Sequence, residues 1–456
     1  MPELAPQPCD LLIRNGLILT VDPGDRIIPG GAIAVQGNRI LAVGPEDAVT
    51  AAHSPARTID ARGGIVHPGF IDGHTHTPVH CVRGFLTDDP REAAAKGTGV
   101  FTDWINAVTE PDEIAASRLA ACELLMNGFT GVVEAATAFH PDLVAEAVSG
   151  VGIRVSVSDC MLWDVPGQGL SSLIPKAPCS RDRAMAGMGG QLWRNAQADG
   201  LVRGHVGLYG SGSASVELMA EALALAGENR APFHQHQSFL PPEVAAETAR
   251  YGRPPLVHFA ESGVLGPWAV FTHMNVLTEA EVDAVVSSGM ALVWQPGNPQ
   301  YYGTLPRAPS HFPEMMRRGT EIAFGTDVAK VWSFGDLGAI AYLAAREWGD
   351  YIAPRDILHI LTRGGARAMG MPEALGALEP GRRADIVIRD AGRPEAAPGA
   401  DPELELVLTL RGKAVDTVIC NGRVVLEDGR PLLADLEEVT ARARRSGRDT
   451  AARAGF

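Results

Sequence analysis

Thirteen histidines are spread through the chain, and two of them, His74 and His76, stand two residues apart at the end of an apolar run, residues 64–71. That run reads as a strand, on which side chains at i and i+2 share a face. Two imidazoles aimed at one point begin a metal site. A second pair, His234 and His236, repeats the spacing downstream. Such pairs also arise by chance, so the weight falls on what other strand ends supply. Phe271-Thr272-His273 and Phe324-Gly325-Thr326-Asp327 each close a further strand-like run. Three neutral imidazoles and a carboxylate suit zinc or another borderline divalent ion. Taken singly, Asp327 after Gly-Thr reads as a helix N-cap, and His273 as a buried, hydrogen-bonded histidine. Taken jointly, at these strand ends, they read as a metal site.

The elements that must position these groups form three regions. Residues 11–66 read as short strands at 11–14, 17–21, 32–36 and 40–43, broken by turn residues such as Gln36-Gly37-Asn38. Strand-like segments return at 384–388, 414–420 and 423–426, with turns at Asn421-Gly422 and Asp428-Gly429. Two β-rich ends predict one composite β-sandwich domain from 1–66 and 376–436. Between them, 67–375 alternates strands with helical periodicity. Strands are expected at 64–71, 130–134, 153–158, 204–209, 232–236, 268–273, 291–295 and 321–325. Helices are expected at 111–126, 141–147, 216–226, 242–251, 279–288 and 313–318. Eight strands over this length predict an α/β fold, a (β/α)8 TIM-type barrel, whose chemistry sits at the C-terminal strand ends. Residues 437–456 read as an arginine-rich helical tail.

Composition excludes several classes. Hydrophobic residues are 46% and charged residues 20%, as in an ordinary globular protein. A formal net charge of −15 argues against nucleic acid or an anionic membrane as partner. The six cysteines are dispersed with no CxxC pair, which fits a reducing compartment. Without a basic-then-apolar leader or a long apolar run, the chain reads as cytoplasmic. The expected partner is a small-molecule substrate, with a homodimer or higher homo-oligomer as the assembly.

The chain resembles the amidohydrolase superfamily, in the branch of triazine hydrolases, S-adenosylhomocysteine deaminases, guanine deaminases and cytosine-deaminase-like proteins. The resemblance rests on Pro68-Gly69-Phe70-Ile71-Asp72-Gly73-His74-Thr75-His76 with Pro78 and Arg83-Gly84, the fifth-strand histidine, Thr272-His273, and Gly325-Thr326-Asp327. The stretch from Gly376 to Val387 resembles that family's return to its sandwich. It implies that His74, His76, the fifth-strand histidine and Asp327 ligate one metal ion, most simply Zn2+, with Co2+, Mn2+ or Fe2+ as alternatives. A bound divalent ion lowers the pKa of water to about 7, giving hydroxide to attack an sp2 carbon. Asp327 would act as base and then acid, and His273 would orient the water. Some members bridge two metals through a fourth-strand lysine; residues 203–209 hold none, so one ion is expected. Lys330, just past Asp327, is expected at the surface.

The fifth strand departs from the family. A ligand histidine there is commonly followed three residues on by a proton-shuttling glutamate. With His236 as ligand that position is Phe239; with His234, the alternative, it is Gln237. The family's use of the second histidine of HxH favours His236. Tyr209, followed by Gly210-Ser211-Gly212-Ser213, stands where a histidine commonly contacts substrate; its hydroxyl can serve a developing oxyanion. Tyr209, Phe239, Gln237, Trp294, Asn298 and Trp332 are the candidate substrate contacts, with Trp268, Tyr301 and Tyr302 as further aromatic residues near strand ends. Segments 167–190 and 296–313 are long enough to act as lids. The reading is metal-dependent cleavage of a C–N or other carbon–heteroatom non-peptide bond in a small, largely uncharged substrate: an amide, urea, carbamate, thiocarbamate or substituted heteroaromatic. Deamination of a purine, pyrimidine or triazine-like ring is the alternative, and a non-catalytic scaffold homologue the remote one.

Overall fold

The computed structural model of the chain describes residues 5–86, 99–303, 308–328 and 332–456. A nine-stranded sheet joins the two ends of the chain. The long strand Gln7–Leu19 pairs antiparallel with Ile27–Gln36 and parallel with both His53–Asp60 and Ile65–Pro68. Ile27–Gln36 pairs on with Arg39–Pro45, Ile65–Pro68 pairs with Ile386–Arg389, and Val415–Cys420, Arg423–Glu427 and Arg430–Pro431 complete the sheet. Ile13, Ile18, Ile33, Val66, Ile386 and Ile419 share its buried core, so neither terminus builds this layer alone. The Asn421-Gly422 turn has φ of 52° and 79°, the left-handed pair that a two-residue hairpin requires.

The apolar run expected as one strand divides at Gly69. Ile65–Pro68 belongs to the terminal sheet, and Phe70–Thr75 opens the barrel. Gly69 passes so close to Thr130 that an added Cβ would lie 2.1 Å from its Oγ1. The barrel continues through Phe129–Glu134, Arg154–Val157 and Val202–Gly204 in one parallel set. Val206–Gly210, Phe233–Gln237, Ala269–His273, Ala291–Trp294 and Ile322–Phe324 form the other. Val202–Gly204 and Val206–Gly210 are separated only by His205 and act as one fourth strand, which makes eight. The ring closes where Thr75 bridges Asp327, with Asp327 N donating to the His74 carbonyl at 2.9 Å. Beneath that seam the buried Asp72 carboxylate accepts from His74 N at 3.0 Å, Thr326 N at 3.1 Å and Thr326 Oγ1 at 2.5 Å. These bonds fix the heights of both strand ends that carry site residues.

Helices alternate with the barrel strands, several opened by sequence-encoded caps. Thr109 and Asp112 form a capping box on Glu110–Met126, as Thr278 and Glu281 do on Glu279–Ser288. Past the eighth strand, Leu337–Glu347 and Pro354–His359 are helices that the sequence reading did not contain; the latter runs through Ile360–Gly364 into Gly365–Ala368. Gly364 and Gly365 look like a break, yet they let this helix lie against the strands: a Cβ on Gly364 would sit 1.8 Å from the Ile322 carbonyl oxygen. The tail helix Leu436–Ala454 docks on Glu110–Met126, with Ser446 Oγ donating to Asp112 at 2.7 Å. Barrel and terminal sheet are joined by Arg154, buried and bidentate to Asp385 at 2.8 Å twice. No helix among the described residues is long and apolar enough to cross a membrane.

Candidate metal centre and its surroundings

His74, His76 and His236 converge at the barrel mouth, their ligand atoms within 4.8 Å of one another and all three buried. His236 Nδ1 donates to the Tyr209 carbonyl at 2.7 Å, which leaves Nε2 as the lone-pair nitrogen facing the site. Nε2 of His74 and of His236 has no hydrogen-bond partner among the described residues. A buried imidazole nitrogen without a partner is costly in an apolar site and useful in a metal site. His76 Nε2 lies 3.1 Å from Asp327 Oδ1, and Asp327 Oδ2 accepts from Asn298 Nδ2 at 2.5 Å. Burial, reinforced by the neighbouring imidazoles, holds His74 and His236 well below the ordinary histidine range, so both are neutral and able to ligate. The donor set fits a divalent ion of the zinc class.

His273 ends its strand in the left-handed region, φ 75°, and Asp327 has φ 64°. Strained backbone of this kind persists where its surroundings over-determine it, commonly at functional sites. The His273 ring is 6.0 Å from that of His74 and 5.3 Å from that of His236. Its backbone N–H donates to Gln295 Oε1 at 3.1 Å. Phe239 stacks on it, with ring centroids 4.2 Å apart at 25°. Tyr302 meets Phe239 edge-on at 5.6 Å, and Tyr301 links Tyr302 to Trp332. Tyr209 lies 4.5 Å from the His236 ring, and burial pushes its phenol up, so it stays protonated.

Several expected site residues lie elsewhere. His234 shares the face of His236 but one layer deeper, its Nε2 on the Ala368 carbonyl at 2.8 Å and its ring 4.8 Å from His205. Gln237, one residue past His236, points to the opposite face and donates to Glu247 Oε2 at 2.6 Å. Trp294 also faces outward, stacked on Phe312 at 5.0 Å within the helix-facing core. Trp268 precedes its strand, at the end opposite the mouth, with the Arg367 guanidinium 5.9 Å from its ring. Lys330 lies outside the described residues, as does part of the segment 296–313.

Four neighbours of the site were not among the expected residues. Glu134, fully buried at the end of the second strand, accepts from Thr137 Oγ1 at 2.6 Å, and that oxygen is 3.2 Å from His76 Nδ1. Phe101 packs 5.8 Å from the His76 ring. Glu243, in the first turn of the helix Pro241–Tyr251, accepts from Phe239 N at 3.3 Å. Burial and the adjacent Glu247 push its carboxyl up to about 8. An acidic residue ending a barrel strand was the visible signal for Glu134; Glu243 carried none beyond a helix-capping position.

Comparisons with known proteins agree with this architecture. The Amidohydrolase family model matches residues 65–425, and an Imidazolonepropionase-like composite domain model matches 31–53. The chain is 30% identical to a 5-methylthioadenosine/S-adenosylhomocysteine deaminase of Syntrophobacter fumaroxidans, covering 95% of this chain and 97% of that one. It is 25% identical to a 5'-deoxyadenosine deaminase of Methanosarcina mazei, covering 97% and 99%. Among solved structures, an adenosine deaminase from Xanthomonas campestris with bound zinc superposes with TM-score 0.86 at 24% identity, covering 98% of this chain and 100% of that one. A mutant atrazine chlorohydrolase from Arthrobacter aurescens, complexed with zinc and atraton, superposes with TM-score 0.82 at 25% identity, covering 96% and 100%. The chain belongs to the amidohydrolase family and is a metal-dependent hydrolase of carbon–nitrogen bonds other than peptide bonds.

Proposed function

We propose that His74, His76, His236 and Asp327 hold one divalent ion, zinc first among the candidates, and that the chain hydrolyses a C–N bond of a small, flat, largely uncharged substrate. The observation that carries this is the pair of buried, unpartnered Nε2 atoms of His74 and His236, converging with His76 beside Asp327. When bound, such an ion supplies an activated water near neutral pH. Asp327 would take up a proton at this site as base and return it as acid to the departing nitrogen. Asn298 holds Oδ2, which fixes the orientation of the carboxylate. His273 orients the attacking water, and the Tyr209 hydroxyl donates to the oxygen on which charge develops. Phe239, Tyr302 and Trp332 form an aromatic wall for the flat substrate. Phe239 on His273 leaves no acid at the place where ring-nitrogen protonation is expected, which favours ureas, carbamates, amides and activated heteroaromatics.

One observation favours a second reading, deamination of an adenosine-like nucleoside. Glu243, its carboxyl pushed up to about 8, is protonated at neutral pH beside Phe239 and is an acid of the needed kind. The named activities of the curated relatives agree with it. The cytoplasm and a homo-oligomer are the setting we favour; free cysteines and the exposed Leu343 and Tyr351 around Leu337–Glu347 support them. The test is a panel of aryl ureas, carbamates, 5'-methylthioadenosine and 5'-deoxyadenosine, read by leaving group with zinc-loaded protein. Amine release from ureas or carbamates supports the first reading. Ammonia from the nucleosides alone supports the second, and no turnover of any member contradicts both.

A further inference from the structure

We propose that Glu134 and Thr137 act as positioning residues for His76, a carboxylate–hydroxyl–imidazole relay that fixes its tautomer and ring angle for the metal. This rests on the reading that His76 is a ligand. Ordinary structural work does not account for the arrangement. Among the described residues, the completely buried Glu134 has no cation against it, and its oxygens accept only from Thr137, from N at 3.1 and 3.2 Å and from Oγ1 at 2.6 Å. Burial pushes the Glu134 carboxyl up to about 7, and in its ionised form it only accepts, so the Thr137 hydroxyl proton then points at Glu134. Its oxygen is then left to accept from His76 Nδ1 at 3.2 Å. The proton therefore sits on Nδ1, and Nε2 presents its lone pair beside Asp327.

His236 does not share this device; it is oriented by a backbone carbonyl, which no side-chain substitution can tune. His76 follows the last residue of its strand and caps the 3-10 turn Thr77–Val82, where the ladder no longer fixes its side chain. Thr75, the residue before it, pairs in register with Glu134, so the second strand brings the carboxylate to the correct height. Orienting partners of this kind typically contribute about 10- to 100-fold in metal affinity.

Thr137→Val tests the relay, because it removes only the hydroxyl and keeps the backbone bond to Glu134. Zinc affinity of metal-stripped protein, titrated against a competing chelator, is expected to fall about 10- to 100-fold. The visible spectrum of the cobalt(II) form is expected to change, and Thr137→Ser to restore both. Glu134→Gln, which keeps an acceptor but loses the charge, is expected to fall between parent and Thr137→Val. Thr137→Val that binds zinc as the parent does, with an unchanged cobalt spectrum, overturns the relay. Glu134→Gln indistinguishable from the parent overturns the part of Glu134. A parent that binds no zinc instead overturns the metal-site reading on which the relay depends.

Discussion

Substituting Asp327→Asn separates the carboxylate's proton chemistry from its place in the fold. The backbone at 327 has φ 64°, a conformation that asparagine tolerates as well as aspartate does. The side chain sits between two fixed neighbours, His76 Nε2 at 3.1 Å from Oδ1 and Asn298 Nδ2 at 2.5 Å from Oδ2. An amide can keep its oxygen toward Asn298 and turn its NH2 toward His76, so one orientation avoids a donor–donor clash. The fold is therefore expected to survive, with a melting temperature within a few degrees of the parent. What disappears is the group that accepts and returns a proton, worth about 10²- to 10⁴-fold in rate. At about 1.4 kcal/mol per factor of ten, that is roughly 3–5 kcal/mol of barrier. Loss of a charged ligand adds to it. The assay is kcat at saturating substrate, with metal content and thermal unfolding measured on the same preparation. A folded Asp327→Asn variant whose kcat stays within tenfold of the parent refutes the role.

Three further outcomes are expected. Phe239→Glu sets a carboxyl against the His273 ring and should create or raise ammonia release from aminopurine substrates; a folded variant without such a gain counts against Phe239 as the vacated shuttle position. Arg154→Met strips Asp385 of its bidentate partner in a buried junction and should cost about 3–5 kcal/mol in chemical denaturation; a loss under about 1 kcal/mol contradicts the junction's weight. Glu243 has a folded pKa of about 8, raised above its unfolded value, so its contribution to stability is complete below about pH 4.5 and disappears as pH rises through 8. Glu243→Gln should therefore gain stability relative to the parent between pH 6 and 9, and a pH-independent difference in melting temperature would falsify the buried, protonated carboxyl.

Strand parity explains both what could be read from the sequence and what could not. The eight barrel strands were legible because their apolar runs are short and bounded, and because site residues recur at their ends. Parity also excludes Gln237 and Trp294: each stands one residue from an inward-facing neighbour, His236 or Val293, and so faces the helices. Parity cannot separate His234 from His236, which share a face; depth in the barrel does, and depth depends on strand stagger. The division of the first apolar run at Gly69 was hidden because both halves are equally apolar. His53–Asp60 was hidden for the opposite reason, being polar and mostly exposed at the sheet's rim. The helix that runs from Pro354–His359 into Gly365–Ala368 was obscured by Gly364-Gly365, where close approach to the strands overrides helix propensity. Glu243 belongs to a helix packed at the mouth, and nothing local marks it as near Phe239.

The central claim is that hydrolysis depends on one ion held by His74, His76, His236 and Asp327. The direct measurement removes metal with a chelator, confirms its absence, and then titrates zinc while following both binding and C–N hydrolysis on the most rapidly turned-over member of the panel. Activity is expected to fall with the metal and to return in proportion to zinc, reaching its plateau at about one equivalent per chain. Undiminished hydrolysis by the stripped protein, or a His236→Ala variant that still binds zinc and turns over like the parent, would contradict it.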